Sequence, residues 1–159
     1  MSTSVTSPTR SAATDQVDVR GPRFAAWITT AVLLAVLVVS GFSPVAAAVL
    51  LAVQAVIFAI GAVRGPRQHP YGLVFALLMA PRLGPTTERE PVPLLRFAQL
   101  VGLLFALAGA VCFAAGAPLL GTVATAFALA AAFLNAAFGI CLGCQIYPLV
   151  THLRRTKTA

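Results

Sequence analysis

Cys141 and Cys144 are the closest pair of thiols in this chain, separated only by Leu142 and Gly143. CxxC spacing lets two sulfurs alternate between dithiol and disulfide where the intervening backbone turns, and a glycine inside the pair eases that distortion. Three readings of the pair stand. A redox or sulfur-transfer dithiol needs one thiol of lowered pKa, which CxxC normally gains at a helix N-terminus. The sequence places the pair near the C-terminal end of an apolar run instead, which opposes thiolate formation unless Gly143 breaks the helix or His152, Arg154 or Arg155 folds back. A tetrahedral zinc site requires two further ligands, for which only His69 and His152 offer themselves, so neither a metal nor a cofactor is called for. The third reading is inert packing of two small apolar side chains.

The residues just before the pair form a second candidate group. At about 100° per residue, Asn135, Gly139 and Gly143 fall on one helix face, with the cysteines on another. Gly139-x-x-x-Gly143 suits close helix packing, and Asn135 suits an interhelical hydrogen bond or a pore lining. Cys112 is expected across the bilayer from the CxxC pair, as a packed or lipid-facing thiol. Gln54, Gln99 and Gln145 read as isolated hydrogen-bonding amides, while Trp27, Tyr71 and Tyr147 read as interface anchors.

The elements that position these residues follow from composition. The 159 residues are 59% hydrophobic and 9% charged, with a mean hydropathy of +0.92, which excludes an ordinary soluble domain. No Asp, Glu, Lys or Arg occurs from Phe24 to Val63 or from Phe97 to Leu153. Each stretch exceeds the roughly 20 residues that cross a bilayer and is broken once, at Ser40 to Pro44 and at Gly116 to Pro118. The expected fold class is all-α integral membrane, with four transmembrane helices arranged as two tandem hairpins. The spans are residues 24–39, 45–63, 97–115 and 119–143, within a membrane domain of residues 21–153. Short alternating strands of the barrel kind are absent from the pattern.

Between the hairpins, residues 71–80 are apolar but too short to span and are expected to form an interfacial helix. Residues 81–95 follow as a proline-rich solvated loop, in which Glu88 and Glu90 read as linker charges rather than paired catalytic carboxylates. Residues 1–20 are expected to be a disordered tail and residues 154–159 a basic one. The first apolar run is longer than a signal-peptide core and is expected to be retained.

All eleven basic residues precede the first span, lie in the central connection or close the chain. The positive-inside rule then puts both termini and the central loop in the cytoplasm, with the two short turns outside. The net charge of +7 favours a bilayer with anionic headgroups as partner. The arginines are dispersed at span ends without a recognisable nucleic-acid-binding fold, so no nucleic-acid partner is expected. Parallel duplication is suggested by Arg23-Phe24-Ala25 and Arg96-Phe97-Ala98, each followed at nearly equal distance by a turn proline, Pro44 or Pro118.

Several motifs taken together carry a family resemblance. They are Arg20-Gly21-Pro22-Arg23-Phe24, Pro70-Tyr71-Gly72, Pro81-Arg82-Leu83-Gly84-Pro85, Arg96-Phe97-Ala98-Gln99, and Phe133 to Gly139 followed by CxxC. With them the chain after residue 18 resembles an actinobacterial membrane family termed domain of unknown function 4395. The resemblance implies a small bacterial inner-membrane protein and brings no assigned activity.

The functional expectation is a cytoplasmic-side dithiol exchanging electrons or sulfur with a thiol partner of the thioredoxin-like or sulfurtransferase kind. Cys144 is expected to attack and Cys141 to resolve. The alternatives are a small sulfur-compound transporter subunit, with the Asn135 face lining a path, and a noncatalytic scaffold with inert cysteines. Whether Gly139 and Gly143 serve packing within one chain or a homo-oligomer is left open by the sequence.

Overall fold

The computed structural model describes residues 16–84, 88–142 and 145–146. Strand β1 (Gln16–Asp18) leads into helix α1 (Arg20–Ser40), and helix α2 (Pro44–Arg64) follows after three residues. A 3₁₀ turn (Pro66–Gln68), helix α3 (Pro70–Leu78), a second 3₁₀ turn (Ala80–Arg82) and strand β2 (Arg89–Pro91) form the central connection. Helices α4 (Val92–Ala114) and α5 (Pro118–Phe138) complete the described elements.

Prolines and glycines set the helix ends. Pro44, Pro70, Pro93 and Pro118 each fall at the first or second position of a helix, where the missing N–H costs nothing. The Ser43 hydroxyl accepts a 3.2 Å bond from Ala46 N and caps α2. Gly65, Gly116 and Gly139 take positive φ where the chain leaves a helix, a region that penalises residues bearing a Cβ.

Four of the helices, α1, α2, α4 and α5, are long and apolar enough to cross a membrane, and no more than a third of each span window is buried within the protein. The rest of their surface is apolar and exposed, with Val45 at 70%, Leu119 at 75% and Phe127 at 63%. Such a perimeter suits hydrocarbon and would aggregate in water.

Because lipid is as apolar as leucine, the bundle is held by close packing rather than by transfer of apolar surface out of water. The most extensive contact joins α2 to α4, across the midpoint of the chain, followed by α1 to α5 and α4 to α5. Steps along the α2–α4 seam are visible in three glycines. A Cβ on Gly102 would stand 2.9 Å from Phe58 Cε1, one on Gly109 would stand 2.6 Å from Leu51 Cδ2, and one on Gly61 would stand 3.0 Å from Gln99 Oε1. Positions 61, 58 and 51 descend α2 while 99, 102 and 109 ascend α4, so the two helices are antiparallel in register. Gly121 of α5 receives the Phe113 ring in the same way, at 2.8 Å from its would-be Cβ. The fully enclosed Leu33, Val36, Leu51, Phe113 and Thr125 lie at the centre of the bundle.

The helix limits differ from the sequence reading in instructive ways. Helix α1 starts at Arg20 and α4 at Val92, each several residues before the charge-free run, because arginine is a good helix former and does not end a helix. Gln16–Asp18, expected in a disordered tail, form an antiparallel ladder with Arg89–Pro91, pairing Gln16 with Pro91, Val17 with Glu90 and Asp18 with Arg89. The expected solvated loop therefore ends in a strand. Helix α5 stops at Phe138, not Gly143, because Gly139 turns left-handed at φ 69° and ψ 15°. Gly139 N donates to Asn135 O and Ile140 N to Leu134 O, a glycine cap that closes the helix. Residues 1–15, Gly143, Cys144, Tyr147 and the 154–159 tail lie outside the described residues.

Candidate functional site

The α5 cap changes the setting of the CxxC pair. Cys141 is not on the spanning helix at all. Leu142, Gln145 and Ile146 are helical, and Gln145 N donates to Cys141 O at 3.1 Å. Cys141 thus sits at the start of a new helical turn, beyond the end of the α5 backbone dipole. The helix breaks at Gly139. Cys141 is 9% exposed and disulfide-bonded, whereas Cys112, in α4, is a free thiol. Cys144 and Gly143 lie outside the described residues.

Helix α5 carries Asn135 and ends just before Gly139. Gly139 is exposed and acts as a cap. The glycines against which neighbouring side chains pack closely include Gly61, Gly102, Gly109 and Gly121, and the seven-residue step from 102 to 109 was the available signal for the two on α4.

Cys141 and Asn135 line one cavity of about 280 Å³ enclosed by α1, α2, α4 and α5, together with Thr29, Phe58, Gln99 and Phe127. A second cavity of about 310 Å³ lies between the start of α1, the central connection and α4, with Asp18, Arg67, His69, Phe75 and Gln99 in its wall. Pro22, Ala25, Leu95 and Gln99 line both. Gln99 is therefore the polar residue on the partition between them.

His69 is the unexpected member of this region. It is only 3% exposed, and neither ring nitrogen completes a hydrogen bond; Gln99 Oε1 is likewise buried and unpaired. Both side chains crowd Gly61, where a Cβ would stand 2.6 Å from His69 Cδ2 and 3.0 Å from Gln99 Cγ. Burial lowers the His69 pKa to about 4, outweighing the opposing pull of the nearby Gln99 amide, so the imidazole is neutral at physiological pH.

Tyr71, expected as an interface anchor, turns inward. Its hydroxyl donates to Gln54 Oε1 at 2.9 Å, and its ring meets that of His69 edge-on at 5.3 Å between centroids. Gln54 is 1% exposed, and its Nε2 has no partner. Burial raises the Tyr71 pKa. The sequence signal for this cluster was Gln54 and Gly61, seven residues apart on one face of α2, followed directly by His69-Pro70-Tyr71.

Arginines at this end act as ties to the backbone. Arg96 donates through Nε to Ala62 O at 2.9 Å and through Nη2 to Val63 O, filling carbonyls left open at the end of α2. Arg20 Nη1 reaches Gly84 O at 3.0 Å and Arg67 Nη2 reaches Gln16 O at 3.1 Å. Burial raises the Glu90 pKa while the Arg23 guanidinium lowers it. Among the described residues, no three His, Cys, Asp or Glu side chains gather as a metal centre.

An apolar perimeter around four span-length helices defines a multi-pass α-helical membrane protein. The family model described as domain of unknown function (DUF4395) matches residues 17–152, and the chain belongs to that family. No curated protein and no solved structure matches the chain.

Proposed function

We propose that the protein is a membrane-embedded thiol–disulfide exchanger in which Cys141 and Cys144 alternate between disulfide and dithiol. The observation that supports this reading best is the Gly139 cap. It frees Cys141 from α5, starts a fresh turn after it and leaves its disulfide sulfur in the wall of a cavity. A reduced partner of the thioredoxin-like or sulfurtransferase class supplies the thiolate. That thiolate attacks one sulfur, forms a mixed disulfide and expels the other cysteine as thiolate. The partner's second thiol then attacks the mixed bond, leaving the partner oxidised and the pair reduced, with both electrons accounted for. In the reverse direction Cys144 attacks and Cys141 resolves.

The same reading places the chain in the bacterial inner membrane with both termini cytoplasmic. Helices α1–α2 and α4–α5 serve as two tandem hairpins, and α3 lies at the cytoplasmic interface beside anionic headgroups. The arginines at the α2 end and in the central connection support that orientation.

A transport reading is favoured by one separate observation: Asn135 and Gln99 put two amides on the wall of a largely apolar cavity inside the bundle. Differential alkylation in membranes separates the two. If exchange operates, adding a reduced dithiol protein converts Cys141 and Cys144 to an alkylatable form, and the partner is recovered as its disulfide. A pair that stays unreactive under those conditions sinks the exchange reading. Uptake of a sulfur compound that survives Cys141→Ser with Cys144→Ser but is lost in Asn135→Leu establishes transport instead.

A further inference from the structure

The cavity at His69 has its own chemistry, separate from the thiols. We propose that it binds an uncharged aromatic alcohol of the phenol or hydroquinone class, with the ligand hydroxyl held between the His69 imidazole and Gln99 Oε1. The unmet groups define the ligand. A neutral imidazole presents one N–H donor and one acceptor nitrogen, and Gln99 Oε1 presents an acceptor. All three atoms are buried and unpaired, an arrangement that is costly until a ligand completes the hydrogen bonds. A hydroxyl is the smallest single group that donates and accepts at once.

Charge and shape narrow the class further. Asp18 and Arg67 face the same cavity and oppose each other, so neither an anion nor a cation is selected. One imidazole and an amide oxygen do not make a zinc ligand set. The remaining wall is apolar, including Ala25, Phe75 and Leu95, and about 310 Å³ is room for a one- or two-ring compound. Gly61 makes the polar head of the site, because any side chain there would strike both His69 and Gln99.

The test uses the full chain in lipid nanodiscs, with His152→Gln so that His69 is the sole imidazole, and follows the ring nitrogens of His69 by ¹⁵N NMR. Titration with 1-naphthol is expected to give a saturable one-to-one shift. Naphthalene, which has no hydroxyl, and 1-methoxynaphthalene, which cannot donate, are expected to bind at least tenfold more weakly. Gln99→Leu should weaken 1-naphthol at least tenfold. Ala76→Phe, which fills the cavity from an exposed position on α3, should abolish the shift while the thermal transition stays unchanged. Equal responses to 1-naphthol and naphthalene, a shift that never saturates, or full binding by Ala76→Phe would overturn the proposal. None of these readouts involves the cysteines, so the outcome is independent of thiol exchange.

Discussion

Leu51 of α2 presses its Cδ2 into the space where Gly109 of α4 has no side chain, 2.6 Å from the position a Cβ would take. Thr125 Oγ1 of α5 lies 3.2 Å from the same point, so three helices meet over one glycine. In a bilayer this fit is the main source of helix association.

Gly109→Ala should therefore lower stability by about 1–3 kcal/mol, the usual cost of overpacking a rigid site. Gly84→Ala, where nothing lies within 4 Å, should be neutral. Thermal unfolding of both variants in the same detergent checks the contrast; equal midpoints would show that the seam yields more readily than its geometry implies.

Tyr71→Phe should cost about 1–3 kcal/mol by leaving the buried Gln54 without its remaining side-chain partner. Gln54→Leu in that background should recover much of the loss, since removing both polar partners is far cheaper than stranding one. A double-mutant cycle on unfolding free energy measures the coupling, and additive losses would deny it.

The neutral imidazole of His69 predicts an acid limb. Its folded pKa of about 4 lies below the ordinary 6.5, so above pH 6.5 neither state is protonated and the full stability is present. As pH falls from 6.5 toward 4 the unfolded chain takes up a proton that the folded chain refuses. Stability declines by about 1.4 kcal/mol per pH unit, or about 3 kcal/mol in all. Glu90, whose pKa burial raises, acts in the opposite sense as its carboxyl protonates. The decisive quantity is the difference in slope: the melting midpoint of His69→Phe should fall less steeply over pH 6.5 to 4 than that of the unaltered protein.

Gly139→Ala should destabilise the α5 cap by about 1–2 kcal/mol, because a Cβ is penalised in the left-handed region; Gly139→Asn should cost less. After reduction, the alkylation rate of Cys141 should change several-fold in the alanine variant as the chain beyond Phe138 is redirected. An unchanged rate would mean that the cap does not control the presentation of the thiol.

The four long helices and their two turns were legible in the sequence because they depend on local physics. Charge-free runs of sufficient length must cross or be buried, and Ser43-Pro44 and Gly116-Ala117-Pro118 interrupt a helix wherever they occur. The candidate site was only half legible. CxxC spacing pointed to Cys141, but the end of α5 depended on Gly139 going left-handed, and a glycine in an apolar run reads equally well as a packing residue or a cap. Tertiary structure alone decided that α2 pairs most closely with α4, that Gln16–Asp18 find Arg89–Pro91, and that His69, Gln99, Tyr71 and Gln54 converge. Those residues lie up to 45 positions apart, from Gln54 to Gln99. Their meeting follows from helix register, which hydropathy does not encode because every face of these helices is apolar.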